Sequence, residues 1–232
     1  NYLEKNYNWT DRIKWDVKIN NYDVFTKCAS DLEADGLNND CLIKNNKNTV
    51  LFIHGDSHTA HYIYFLKQLD NIDIYVEIWP PYSTKINYKK IKYLQKKYKN
   101  LIFLTNIQDS IELNKIKQFV IKTNNSFPII LFNSTPTTNR NMPYRCFVRR
   151  MNCSEDKKII FDKIMNKDLL ILSNNNDNVF LFDSFNVLCP KNECTIYNKD
   201  KDLIMLRDQS HLTKEGSLLL KDVFESLLKK IL

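Results

Sequence analysis

The chain has 232 residues, of which 43% are hydrophobic and 12% aromatic, and its formal net charge is +7. A chain of this size and composition can bury a full core, which excludes general disorder. Only 3 glycines and 6 prolines are present, so no Gly- or Pro-rich linker divides the chain. The sequence has no apolar run long enough to span a bilayer and no signal peptide.

The positive charge is densest over residues 85–99, where lysines recur at the spacing of a solvated helix face. A basic surface suits nucleic acid, an anionic glycan or an anionic membrane surface. No nucleic-acid-binding motif accompanies these lysines, so we expect no nucleic-acid partner.

Six cysteines fall into three close pairs, which are Cys28 with Cys41, Cys146 with Cys153, and Cys189 with Cys194. None of the pairs is a CxxC motif, and no histidine stands at zinc-finger spacing. The simplest interpretation is three local disulfides, and therefore an oxidising compartment. Six free thiols in a cytosolic enzyme are the alternative.

Residues 1–48 are polar and only weakly periodic. We interpret them as an N-terminal extension that packs on, or leads into, a domain spanning residues 49–232. Because the chain begins at Asn1 and not at Met, we expect a preceding segment that carries any targeting or membrane portion.

From Thr49 onward, short apolar runs alternate with helical stretches. The predicted strands are Thr49–His54, Ile72–Ile78, Leu101–Thr105, Pro128–Asn133 and Val179–Asp183. Helices are predicted after Ser57, over about Lys85–Tyr98 and Ile111–Lys122, from about Glu155, and from about Lys214 to the end, with a small hairpin at Cys189–Cys194. Continuous apolar runs are typical of strands buried on both faces. The alternation therefore predicts a mainly parallel, five-stranded α/β sheet covered on both faces. The carboxyl ends of its strands share one rim, where ligands bind in such folds.

The segment Gly55-Asp56-Ser57-His58 directly follows the first of these strands. Ser57 lies where strand becomes helix, so its backbone N–H is at a helix N-terminus, which suits a developing oxyanion. Gly55 permits the tight turn. On this segment alone, Ser57 could equally be a simple helix N-cap.

A serine nucleophile needs a base, and the base needs an orienting group. Three of the 4 histidines flank the serine and are interpreted as structural or substrate-lining: His54, His58 and His61. The fourth, His211, precedes the last helix and stands three positions after Asp208. In a turn this spacing brings a carboxylate to the imidazole. A lone DxxH is weak evidence, but its position in a second loop of the same rim favours a triad of Ser57, His211 and Asp208.

Two segments, HGDSHTAHY (His54–Tyr62) and DQSHLTKEGSLLL (Asp208–Leu220), resemble the first and last blocks of the SGNH hydrolase superfamily. The resemblance is closest to the extracytoplasmic SGNH domain fused to integral-membrane O-acyltransferases of bacterial surface polysaccharides. Further segments fit that branch: Trp79-Pro80-Pro81, Thr135-Pro136 through Cys146 and Cys153, and Leu188-Cys189-Pro190 through Cys194. The resemblance runs from about Asn48 to the end and implies a three-layer, flavodoxin-like sandwich.

The resemblance also implies roles for individual residues. Ser57 is the nucleophile and a backbone oxyanion donor, His211 is the general base and acid, and Asp208 orients His211. The asparagine block of the family follows the third strand, where Asn106 stands, so we predict that Asn106 completes the oxyanion hole with Ser57, with Asn133 as its rival.

One block of the family has no counterpart here. The family's glycine block supplies a second backbone oxyanion donor, but no glycine follows the second strand of this chain. Pro80 and Pro81 lack an N–H and cannot replace it. The second backbone donor therefore stays unassigned, with Ser83 as a candidate.

The function that the resemblance implies is O-acyl transfer, specifically O-acetyl transfer, to a cell-envelope or secreted glycan through a Ser57 acyl-enzyme. A membrane acyltransferase domain would supply the acyl group, and a missing N-terminal segment would tether the chain on the periplasmic or cell-surface side. A free-standing carbohydrate O-acetylesterase and a glycan-binding module with a degenerate triad are the alternatives. The sequence contains no metal motif and no Gly-rich phosphate loop, so no metal and no cofactor are expected.

Overall fold

The computed structural model of the chain describes residues 12–14, 16–19, 22–28, 37–78, 86–133, 135–138, 142–156, 163–190 and 193–232. The strands are β1 (Lys18–Ile19), β2 (Tyr22–Asp23), β3 (Leu42–Ile43), β4 (Thr49–Gly55), β5 (Asp73–Ile78), β6 (Asn100–Asn106), β7 (Ile129–Phe132), β8 (Cys153–Asp156), β9 (Val179–Phe182), β10 (Glu193–Asn198) and β11 (Leu203–Ile204).

The helices alternate with the strands of the main sheet, as the sequence pattern predicts. They are α1 (Val24–Lys27), α2 (Ser57–Ala60), α3 (Ile63–Leu66), α4 (Tyr88–Lys97), α5 (Ser110–Thr123), α6 (Met142–Arg149), α7 (Lys163–Asn174), α8 (Ser184–Leu188), α9 (Lys214–Leu218) and α10 (Lys221–Ile231). The helical stretch predicted after Ser57 and the one predicted from Lys214 are each divided into two short helices.

The central sheet has the order β3-β5-β4-β6-β7-β9. The five strands predicted from the apolar runs are parallel to one another, so the mainly parallel α/β fold is confirmed. The sheet has six strands instead of the predicted five, because β3 adds an antiparallel strand beside β5. This strand is only two residues long, which is too short for a periodic signal.

The strand register brings the carboxyl ends of the parallel strands to one rim. His54 of β4 pairs with Glu77 of β5 and with Thr105 of β6. Asn106 of β6 pairs in turn with Phe132 of β7. The turn after β4 and the ends of β6 and β7 therefore lie side by side at this rim.

Each face of the sheet is covered by helices that contribute aromatic side chains. On one face, the ring of Phe103 in β6 packs against Phe52 of β4 and Phe119 of α5. On the other face, Phe132 of β7 packs between Phe65 of α3 and Phe224 of α10. All six rings are fully buried. Helices therefore pack on both faces of the sheet, which gives a sandwich of three layers. The buried rings hold α3 and α10 against the sheet.

A small second sheet, with the order β11-β10-β8, lies outside the predicted pattern. The prediction of a helix from about Glu155 is wrong at its start, because Glu155 lies in β8 and pairs with Cys194 of β10. The helix itself, α7, begins at Lys163. The hairpin predicted at Cys189–Cys194 lies further on, between β10 and β11.

All three predicted disulfides are present and join the cysteines that are close in sequence. The Cys28–Cys41 bond ties the start of the chain to the edge of the central sheet, since Ile78 of β5 donates a backbone hydrogen bond to Cys28. Three disulfides indicate an oxidising, extracytoplasmic compartment. Within the described residues, none of the helices is both long and apolar enough to cross a bilayer.

The N-terminal residues that the structure describes pack on the rest of the chain. The Arg12 guanidinium contacts Glu215 of α9 at 2.7 Å and Asp202 at 2.8 Å. The division at residues 48 and 49 stays a prediction. The predicted Trp79-Pro80-Pro81 turn and Ser83 lie outside the described residues.

We expect Gly216→Ala to lower the free energy of unfolding by about 1–3 kcal/mol, as overpacking of a tight core does. Gly216 lies in α9, and a Cβ there would stand only 2.2 Å from the carbonyl oxygen of Met205. Urea denaturation measures the change. Lys214→Ala on the exposed side of the same helix should change stability by less than about 0.5 kcal/mol. Equal stability of Gly216→Ala and wild type would contradict this packing.

Candidate active site

The turn that carries Ser57 depends on the glycine at the end of β4. Gly55 has a φ of +154°, and a Cβ there would stand 2.0 Å from the Thr59 hydroxyl. Asp56 then caps α2, because its carboxylate accepts the backbone N–H of His58 at 2.9 Å. Ser57 is the first residue of that helix, so its backbone N–H lies in the turn that lacks intrahelical partners.

The structure brings together the three residues predicted to form a triad. The Ser57 hydroxyl lies 3.0 Å from Nε2 of His211. Nδ1 of the same imidazole lies 2.9 Å and 3.0 Å from the two carboxylate oxygens of Asp208. The side chains of His211 and Asp208 are 21% and 33% exposed, so the group can be reached from solvent.

The loop of residues 207–212 holds this geometry by its own hydrogen bonds. Oδ1 of Asp208 accepts the backbone N–H groups of Ser210 and His211, each at 3.0 Å. Arg207 donates through Nε to the other carboxylate oxygen at 2.9 Å. A β-bridge between Leu206 and Leu212 closes the base of the loop.

These contacts determine the charge of Asp208. Burial acts to raise the pKa of its carboxyl, but the hydrogen bonds from the His211 side chain and from the backbone of Ser210 and His211 outweigh burial and hold this pKa well below its usual range. Asp208 is therefore a carboxylate at neutral pH and accepts the Nδ1–H of His211. The lone pair of Nε2 then faces the Ser57 hydroxyl.

Two residues that the sequence did not identify as site residues hold the loop of residues 207–212 by hydrogen bonds from a neighbouring segment. The Thr135 hydroxyl donates to the Ser210 carbonyl at 2.9 Å, and the Thr138 backbone N–H donates to the Gln209 carbonyl at 2.8 Å. Both lie after β7, in the segment from Thr135-Pro136 to Cys146 and Cys153, which resembles the family but carries no predicted site residue.

The two candidate asparagines have different environments. Asn133 is fully engaged: its Nδ2 donates to Asn166 and Asp183, and its Oδ1 accepts from Ser184 and Phe185. Asn106 is only 5% exposed, and neither Oδ1 nor Nδ2 has a hydrogen-bond partner among the described residues. Asn106 ends β6, directly beside the end of β4.

A polar link joins the loop after Asn106 to the turn of Ser57. Nε2 of Gln108 lies 3.2 Å and 3.3 Å from the two carboxylate oxygens of Asp56. The backbone N–H of Gln108 donates to Glu112 at 2.8 Å. Burial, together with the nearby Asp56 and Asp109, raises the pKa of Glu112 to about 7.

The three other histidines lie in two different places. His54 is buried between strands, with Nδ1 at 3.3 Å from Glu77, which also binds Lys90 at 2.9 Å. His58 and His61 instead lie beside His211, with ring centroids at 4.5 Å and 6.2 Å from its own. In the part of the chain that the structure describes, no group of three or more His, Cys, Asp or Glu side chains could hold a metal ion.

The rim geometry defines a class: an α/β domain with a serine, a histidine and an aspartate joined at the carboxyl ends of parallel strands. The family model described as SGNH domain (fused to AT3 domains) matches residues 72–226, which is more than half of the chain. The chain belongs to this family.

A solved structure agrees at the level of fold. The periplasmic domain of the Salmonella ser. Paratyphi A lipopolysaccharide acetyltransferase superposes with a TM-score of 0.63 at 17% identity, covering 98% of this chain and 97% of its own. No curated protein sequence matches this chain significantly.

We expect Glu112→Gln to become more stable relative to wild type as the pH rises from 5 to 8. The pKa of Glu112 in the folded protein, about 7, lies above its unfolded value, so folding favours the protonated form. The stability from this group is complete below pH about 4.3 and is lost as the pH rises through 7. Because Glu112 is partly exposed, the difference should be on the order of 1 kcal/mol. Urea denaturation at both pH values measures it, and a difference that does not change with pH would contradict the account.

Proposed function

We propose that this chain is an acyl-transfer domain in which Ser57 is the nucleophile, His211 the general base and acid, and Asp208 the orienting carboxylate. The observation that carries the proposal is the continuous chain of contacts from Ser57 Oγ through His211 to Asp208, with heavy-atom distances of 3.0 Å and 2.9 Å. These lie within the reach that proton transfer between a nucleophile and its base requires.

In the first half-reaction, Ser57 Oγ attacks the carbonyl carbon of the acyl donor while its proton passes to Nε2 of His211. Asp208 stabilises the resulting imidazolium. The tetrahedral intermediate collapses, the bond from the carbonyl carbon to the leaving group breaks, and His211 gives its proton to that group. The product is an ester between the acyl group and Ser57.

In the second half-reaction, a sugar hydroxyl replaces the leaving group. Its proton passes to His211 as its oxygen attacks the acyl carbonyl. The ester bond to Ser57 then breaks, and Ser57 Oγ recovers a proton from His211. Water in place of the sugar hydroxyl gives hydrolysis through the same steps, so transfer requires that the acceptor sugar reaches the acyl-enzyme before water does.

Asn106 is the proposed side-chain donor to the oxyanion, together with the backbone N–H of Ser57. A buried amide without partners is costly unless a ligand satisfies it. Its position at the end of β6, next to the strand that leads into Ser57, supports this role. The saturated hydrogen bonds of Asn133 favour a structural role for that residue.

The proposed acceptor is a glycan of the cell envelope or a secreted glycan, and the proposed acyl group is acetyl. Membership of a family whose SGNH domain is fused to AT3 domains supports a membrane acyltransferase domain as the source of the acyl group. The similar fold of a lipopolysaccharide acetyltransferase periplasmic domain supports a periplasmic or cell-surface location. The disulfides support the same location.

Ser57→Ala should reduce glycan acetylation in cells by at least about 1,000-fold, because loss of the nucleophile of a triad has effects of that size. It should also abolish labelling by a fluorophosphonate. Ser226→Ala, on the exposed side of α10, is the matched control and should behave like wild type. Unchanged acetylation by a folded Ser57→Ala protein would refute the proposal. Labelling without any glycan acetylation, but with release of acetate from an acetylated glycan, would favour the esterase.

Asn106→Ala should mainly lower the rate of acyl transfer, whereas Asn133→Ala should mainly lower the stability of the fold. Asn106→Ala should lower the rate of acyl transfer by about 100-fold to 1,000-fold, as loss of one oxyanion donor does. It should change stability little, because its amide makes no described hydrogen bond. Asn133→Ala removes four hydrogen bonds and should cost about 2–3 kcal/mol of stability with a smaller effect on rate per folded molecule. Rates are compared after correction for the folded fraction. The reverse pattern would assign the oxyanion to Asn133.

A further inference from the structure

Three of the four histidines lie in one cluster, which consists of His58, His61 and the proposed base, His211. The ring of His58 is stacked on that of His211, with centroids 4.5 Å apart and planes inclined by 28°. His61 meets both rings edge-on, at 5.9 Å from His58 and 6.2 Å from His211. His58 and His61 are supplied by the short helix that begins at Ser57 and by its C-cap. The nucleophile and two neighbours of the base therefore come from one rigid turn.

The innermost ring supports the backbone of the catalytic loop. His61 is completely buried, and its Nδ1 accepts the backbone N–H of Leu212 at 3.4 Å. Burial, and then the nearby His58 and His211, lower the pKa of His61 well below its usual range. A neutral ring is what this contact requires, because only an unprotonated Nδ1 can accept a hydrogen bond.

The outer ring is also neutral at the pH of the proposed reaction. Burial and, to a smaller extent, His211 lower the pKa of His58 to about 4, although Asp56 and Asp208 act in the opposite direction. A neutral aromatic face attracts a positive charge placed against it. The stacked ring is therefore compatible with the imidazolium that forms when His211 takes a proton, whereas a charged ring there would oppose it.

We propose that His58 is a positioning residue of the acyl-transfer site, whose neutral imidazole face holds the plane of His211 between Ser57 and Asp208. The inference rests on the function proposed above. His58 takes no proton in the reaction and contacts no reacting atom. Its ring fills one side of His211 and so limits rotation of that imidazole, which would otherwise separate Nε2 from the Ser57 hydroxyl. An aromatic ring of similar shape should serve as well as the native imidazole.

The test compares three substitutions of His58 by the rate of fluorophosphonate labelling of Ser57 between pH 5 and 9. His58→Phe keeps a stacking ring and should stay within about threefold of wild type, as a shape-conserving exchange does. His58→Ala removes the ring and should label about 10-fold to 100-fold more slowly, as expected for a misoriented base. Thermal unfolding followed by circular dichroism confirms that each variant is folded.

The lysine substitution gives a result that loss of structure alone would not produce. His58→Lys places a positive charge beside His211 and should disfavour the imidazolium. The acidic limb of the pH–rate profile should then move to lower pH by about one unit, and the plateau rate should fall. If His58→Phe is as slow as His58→Ala, or if the limb does not move in His58→Lys, the positioning role is wrong.

A second readout separates this proposal from the proposed function. NMR titration of the imidazole signals is measured in Ser57→Ala protein that carries either His58→Phe or His58→Lys. The His211 signals should titrate at lower pH with lysine than with phenylalanine, whether or not Ser57 reacts. If wild-type protein is not labelled, the acyl-enzyme function fails, and this titration alone then decides whether the side chain at position 58 acts on His211. Identical titration curves would overturn the positioning role.

Discussion

The contact between Ser57 Oγ and His211 Nε2 joins residues that are 154 positions apart, and much of the rim exists to keep it at 3.0 Å. On the serine side, β4 ends in a glycine that no residue with a Cβ can replace without displacing Thr59. On the histidine side, the loop of residues 207–212 is closed by a β-bridge and fixed to the turn after β7 by Thr135 and Thr138. The two halves of the site meet where the backbone N–H of Leu212 donates to Nδ1 of His61, which is the C-cap of the helix that begins at Ser57.

At the rim, the ionised carboxylate of Asp208 lies close to a group of imidazole rings. Asp208 is ionised and lies against His211, the proposed base, while burial keeps the neighbouring His58 and His61 neutral. A general base needs neutral neighbours of this kind, because a second positive charge nearby would disfavour its protonated form. A second polar chain, from Glu112 through Gln108 to Asp56, links the Asn106 loop to the nucleophile turn. The two loops that would contact the oxyanion are therefore held together by side chains that do not react.

The sequence predicted those features that arise from local patterns. Apolar runs identify the five parallel strands, and the placement of Ser57 and of Asp208 with His211 after regular elements puts all three at one rim. The features it missed depend on contacts between distant segments. Strand β3 is too short to show a period, and Glu155 forms a strand only because β10 lies beside it. Gln108 and Thr135 are ordinary loop residues until the fold brings Asp56 and Ser210 to them. The sequence already favoured Asn106 over Asn133 by its position after the third strand, and the hydrogen bonds of the two side chains add a physical reason for that choice.

The account depends most on a covalent intermediate at Ser57. The direct measurement is peptide mass spectrometry of the full-length protein, quenched with acid during turnover with its acyl donor and glycan. The account predicts an added acetyl group on the peptide that contains Ser57, which accumulates when the acceptor glycan is left out and disappears when it is restored. Continued acetylation of the glycan with no acyl group on that peptide, or with the acyl group on another residue of this domain, would contradict it.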